Sequence, residues 1–250
     1  VFKDVDIVPD GKIRLAWQSL NGTGTTATKA SDVNSPSIQK TNTMRPLKGA
    51  ADVAGTHRNN FIKFINGLSP SGSTPSHEMF SQADAYLRAA THKNGPWSTD
   101  PGGTGNKSTE YLGCRRNYHI MMTDGRWNGT PIDVPDLNKR DNAPNLEIGR
   151  GKNIPIYTGN DSTLYRDEST GTTLADWAFY SWAVPLQESG SLEQEDKLRP
   201  STLYTEAPDT EIFGTSNDQV TLKKFWNPKY NPATWPHLVT YTIGFGEAAY

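Results

Sequence analysis

Asn117-Tyr118-His119-Ile120-Met121-Met122-Thr123-Asp124-Gly125 is the stretch on which the reading of the chain turns. Residues Tyr118 to Met122 are large, mostly apolar and free of Gly and Pro, the signature of a strand buried on both faces of a mainly parallel sheet. The run stops at Thr123-Asp124-Gly125. A carboxylate followed by a turn glycine at the carboxyl end of such a strand lies on the edge where open α/β sheets hold ligands. The same letters also make an ordinary solvated Asp-Gly turn, so the neighbouring segments have to decide.

Upstream, Ser69 to Ser76 is a hydroxyl-rich loop that leads into a helix expected over about Pro75–Thr91, with Thr74 at its N-cap and Pro75 at its first position. Met79, Ala83, Tyr86, Leu87 and Ala90 would form its apolar stripe. Before that, Asn59–Leu68 places Phe61, Ile62, Phe64 and Ile65 at helical spacing, with Gly67 as a stop, and residues 12–20 alternate as a half-buried strand. Downstream, Thr172 or Thr173 can cap a helix carrying Leu174, Ala178 and Trp182, ended by Pro185. Its aromatic side chains are expected to pack on the sheet. A Thr- and aromatic-rich strand from Leu238 to Gly246 closes the pattern. The segments at about 21–57, 126–171 and 188–234 read as long polar insertions into one domain spanning 1–250.

Composition agrees with a modest core carrying polar additions: 34% hydrophobic residues and a mean hydropathy of −0.68 over 250 residues. Net charge is −2, with no basic cluster beyond Arg115-Arg116, which argues against a nucleic-acid partner. No apolar run is long enough for a membrane span. The single cysteine, Cys114, has no partner within these residues with which to form a bridge.

The order strand, helix, hydroxyl loop, helix, strand ending Thr-Asp-Gly, helix, strand ending Gly-Phe-Gly resembles a von Willebrand factor A domain, an α/β, Rossmann-like fold. Three blocks, Leu112–Asn128, Thr173–Trp182 and Trp235–Gly246, look like the N-terminal region of the PilC/PilY-type tip proteins of bacterial type IV pili. The resemblance implies a mainly parallel sheet flanked by helices and a divalent cation, Mg²⁺ or Mn²⁺ with Ca²⁺ as a further candidate, above the carboxyl edge of the sheet. It makes Thr74 the ligand from the second loop and Asp124 the ligand from the third. The first-loop Asp-x-Ser-x-Ser is absent from these residues, and its strand would precede Val1. The last helix would begin near Tyr250, so the implied domain is incomplete at both ends. Asp167-Glu168-Ser169 comes near in letters but follows no buried strand and reads as a turn.

The function implied is a pilus-tip adhesin module that binds a host-cell or surface ligand and supports pilus biogenesis, with minor pilins and the remainder of the parent protein as partners. Its extracellular place at the pilus tip follows from the same resemblance. The other implied reading is a metal-free structural module that joins the tip to minor pilins or senses force. An enzyme is not expected: His119 reads as a sheet-face histidine, the other histidines have no metal spacing, and there is no Gly-x-Ser-x-Gly elbow.

Overall fold

A computed structural model describes residues 1–20, 40–69, 72–101, 110–123, 127–136, 147–149, 152–153, 171–217, 219–227 and 229–244. In chain order its main elements are β1 (Arg14–Leu15), β2 (Arg45–Pro46), α1 (His57–Asn66), α2 (Ser76–Arg88), β3 (Asn117–Thr123), β4 (Glu147–Ile148), β5 (Lys152–Asn153), α3 (Leu174–Ala183), α4 (Thr202–Glu206), β6 (Thr210–Phe213), β7 (Val220–Lys223) and β8 (Leu238–Gly244). The fold is mixed α/β, with a small parallel pair, β3 beside β8, and three antiparallel pairs. The chain divides into two compact units: Val1–Leu112 with Thr123–Thr130 and Gly244–Tyr250, and Gly113–Met122 with Pro131–Ile243.

In the first unit the strand expected over residues 12–20 shrinks to two residues. Its partner is equally short, with Arg14 opposite Pro46 and Leu15 opposite Arg45, and just beyond them Leu47 N–H donates to Ile13 O at 2.9 Å. Helix α1 forms much as its spacing dictates: the Thr56 side chain accepts from Asn59 N–H at 3.1 Å, and Gly67 N–H donates to Lys63 O at 2.9 Å beyond its last turn. Phe61 and Phe64 bury against Trp17, with Phe2, Leu15 and Ile62 packed around them. Arg58, on the same helix, is fully buried. Its guanidinium donates to the carbonyls of Phe2, Val8 and Gly49 and to the Asp10 carboxylate at 2.6–3.0 Å, which converts a buried charge into a tie for the first ten residues. Helix α2 buries Met79, Phe80, Tyr86 and Leu87, and Trp97 Nε1 donates to Leu87 O at 2.8 Å.

In the second unit Thr173 caps α3 within a full capping box: its hydroxyl accepts from Asp176 N–H, and the Asp176 carboxylate accepts from Thr173 N–H at 2.8 Å. The aromatic face of α3 is largely buried. Phe179, Trp182 and Ala183 bury against Ala233 and Trp235, with Phe225 and Val239 alongside. Trp182 and Trp235 meet edge to face at 5.4 Å, and Trp235 Nε1 donates to Trp182 O at 2.7 Å. His237 locks the following turn. Its Nδ1 donates to Trp235 O at 2.6 Å, which leaves Nε2 to accept from Asn231 Nδ2 at 2.9 Å.

One expectation needs correction. Strand β3 is not buried on both faces: Met121 is 2% exposed, whereas Tyr118, Ile120 and Met122 are 55–59% exposed, so it alternates as a one-sided strand. The region from 188 to 234, expected as a polar insertion, contains α4 and the β6–β7 hairpin. Within 126–171, the described residues include the short β4–β5 hairpin.

Candidate functional site

The sequence places Thr74 at an N-cap, but helix α2 starts one residue late. Pro75 occupies the cap with φ −79° and ψ 65°, and no side chain caps the helix. The ψ of Pro75 lies outside the helical range, so the helix begins at Ser76 and Thr74 sits one residue beyond the cap, its carbonyl accepting from Ser76 N–H at 2.9 Å. The first hydrogen bond of the helix, Met79 N–H to Pro75 O, follows at 3.1 Å. Among the described residues no hydrogen bond engages the Thr74 hydroxyl.

The Thr74 main chain is held at both polar atoms by Asn128. Thr74 N–H donates to Asn128 Oδ1 at 2.7 Å, and Asn128 N–H donates back to Thr74 O at 3.1 Å. Beside this clamp, Trp127 stacks on His77 with ring centroids 4.5 Å apart, and Gly129 runs past Pro75 at φ +123°, a conformation that favours glycine. Asp124 lies outside the described residues, as do Gly125 and Arg126. The residues on both sides are placed: Thr123 ends β3, and Trp127 to Gly129 lie against the loop that carries Thr74.

Two hydroxyls here, those of Thr74 and Ser76, are uncommitted among the described residues. Ser76 Oγ is buried with no hydrogen-bond partner among the described residues, one residue beyond Pro75. Hydroxyls with a carboxylate are hard oxygen donors of the kind that suits Mg²⁺, Mn²⁺ or Ca²⁺, so Thr74 and Asp124 are the residues that would hold such an ion. Among the described residues no group of three or more His, Cys, Asp or Glu side chains gathers as a metal site. Asn128 and His77 were given no role from the sequence, although Asn128 ends the Leu112–Asn128 block. A side-chain amide four residues beyond the Asp is the signal that could have singled it out.

His119 shares the more covered side of β3 with Met121, and desolvation pushes its imidazole down to about 4, so it stays neutral at neutral pH. Cys114 is a free thiol, partly covered, whose Sγ lies 4.0 Å from Gln194 Oε1. No described helix is long and apolar enough to cross a membrane.

No protein-family profile matches the chain. No solved structure matches it either. Among curated proteins it is similar to the type IV pilus biogenesis factor PilY1 of Pseudomonas aeruginosa: 34% identical over 233 residues in strain PAO1, 33% over 233 in strain PAK and 30% over 240 in strain UCBPP-PA14. These alignments take in 93–94% of this chain but only 16–17% of each relative. The chain is thus a homologue of one stretch, about a sixth, of a PilY1-type pilus biogenesis factor.

Proposed function

We propose that this chain is a module of a type IV pilus biogenesis factor, placed outside the cell at the pilus tip. There it binds a host-cell or surface ligand through the loop edge formed by Thr74 and the residues following β3. The observation that carries the reading is the similarity to PilY1 over nearly the whole chain. The two-way clamp between Thr74 and Asn128 supports the choice of edge, because it fixes the Thr74 main chain against a residue four positions beyond Asp124 in the sequence. A von Willebrand factor A-like arrangement would put a divalent cation there, with Thr74 and Asp124 as protein ligands and an acidic group of the partner completing its shell. The role is one of binding, and no catalysis is proposed.

Calorimetric titration of the full-length protein with Mn²⁺ or Mg²⁺ tests the cation. Binding that Asp124→Ala abolishes and Thr74→Ala weakens at least tenfold is expected. Binding unchanged in Asp124→Ala would remove the cation from the proposal. The metal-free alternative, a structural module joining the tip to minor pilins, is favoured by the apolar surface that β3 and β8 leave open. It predicts normal piliation and surface attachment in the Asp124→Ala strain.

A further inference from the structure

Asparagine is followed by glycine at Asn21, Asn66, Asn94 and Asn128. The first of these pairs lies outside the described residues. Such a pair carries chemistry of its own: the glycine nitrogen, once deprotonated, can attack the side-chain carbonyl of the asparagine, because no glycine side chain stands in the way. The attack requires a glycine N–H that is not held by another acceptor.

The three described pairs differ at that atom. At the end of α1, Gly67 N–H donates to Lys63 O at 2.9 Å and to Phe64 O at 3.1 Å, and Gly95 N–H donates to His92 O at 2.8 Å. Gly129 N–H makes no hydrogen bond among the described residues, and neither does Asn128 Nδ2. Both Asn128 and Gly129 are exposed, so hydroxide and water reach them. Asn128 Oδ1 accepts from Thr74 N–H at 2.7 Å, which draws electron density from the side-chain carbonyl carbon and makes it a better electrophile. Gly129 holds φ +123°, so the turn favours the one residue type that leaves the attack unhindered.

We propose that Asn128 is a self-modifying site, converted to a carboxylate in the folded protein while Asn66 and Asn94 stay intact. Gly129 N gives its proton to hydroxide and bonds to Asn128 Cγ; the Cγ–Nδ2 bond breaks, and the side-chain nitrogen takes a proton from water and leaves as ammonia. Water then opens the five-membered imide at either carbonyl, giving aspartate or isoaspartate with no oxidant or reductant consumed. Aspartate keeps an acceptor oxygen for Thr74 N–H and adds a negative charge beside it. Isoaspartate lengthens the main chain by one carbon ahead of Gly129 and so shifts it against Pro75. The chemistry does not depend on the ligand or cation proposed for this edge.

The full-length protein, incubated at mildly alkaline pH, digested and read by peptide mass spectrometry, reports conversion at each pair, both native and unfolded in urea. Asn66 and Asn94 are expected to convert at least about tenfold more slowly in the native protein than in urea, because a hydrogen bond has to open first. Asn128 is expected to convert at about the same rate in both states, and Gly129→Ala should slow it in urea, where the added methyl group hinders attack without any folded-state strain. Native conversion of Asn128 tenfold slower than in urea would overturn the proposal, since the Thr74 clamp would then shield the amide. Equal native rates at Asn128 and at Asn66 or Asn94 would overturn it as well.

Discussion

Helices α2 and α3 begin with the same kind of signal and use it differently. Each is led by a threonine, Thr74 before Pro75-Ser76 and Thr173 before Leu174. Thr173 puts its hydroxyl and its N–H into a reciprocal box with Asp176, and α3 is closed at its first turn. Thr74 is displaced from the cap by the proline behind it, and its main chain is gripped by Asn128 instead. A cap completes a helix, whereas an uncommitted hydroxyl on a fixed main chain is available to something else. One proline separates a structural threonine from a candidate ligand.

The largest expected effect asks whether the two units differ beyond their helix starts. His57 in the first and His119 and His237 in the second are desolvated, which pushes all three down to about 4 from 6.5. Because the unfolded chain takes up these protons first, the stability tied to neutral imidazoles is fully present above about pH 6.5 and is lost as pH falls toward about 4. The loss is on the order of 3 kcal/mol for each histidine at the low end. Denaturant melts at pH 7 and pH 4.5, read by tryptophan fluorescence, should show both units weakening; loss confined to one would mean that only one core depends on its histidine. Next, Asp176→Ala removes a buried carboxylate from the α3 box and should cost about 2 kcal/mol in the same assay. Thr173→Ala removes one arm of that box, and the expected cost of about 1 kcal/mol lowers the melting temperature by about 2–4 °C. Thr74→Ala should cost under about 0.5 kcal/mol, because no hydrogen bond of its hydroxyl is lost. A cost for Thr74→Ala equal to that for Thr173→Ala would erase the contrast between the helices.

Helices α1 and α3 were legible from apolar spacing and stop, Gly67 in one and Pro185 in the other, and the α3 cap was legible too, whereas α1 was read as starting at Asn59 and in fact starts at His57 behind Thr56. Strand β3 was legible in extent but not in burial. Periodicity within one segment does not show how many neighbours will cover it, and a continuous apolar run fits one covered face as well as two. The β6–β7 hairpin escaped notice because its pattern is inverted at β6. Ile212 and Phe213 face solvent, while Glu211 is turned toward Asn227, Lys229 and Tyr230, which hold its carboxylate at 2.7–3.0 Å and draw its pKa below the usual range. A carboxylate facing inward is set by polar partners far along the chain, which local alternation does not encode. At the candidate site Thr74 was legible by letter and misplaced by one helix position, and Asn128 carried only the weak signal of an amide four residues beyond Asp124, since its role exists only once residues 54 positions apart are brought together.

Gly149 follows β4 at φ +61°, and its N–H donates to Ala183 O at 2.6 Å. A side chain there would strike the Trp235 ring, 2.6 Å from where its Cβ would lie. The region from 126 to 171 is therefore pinned at an interior point as well as at its ends. A glycine at this position holds one interior point of the region against the tryptophan that meets Trp182 edge to face.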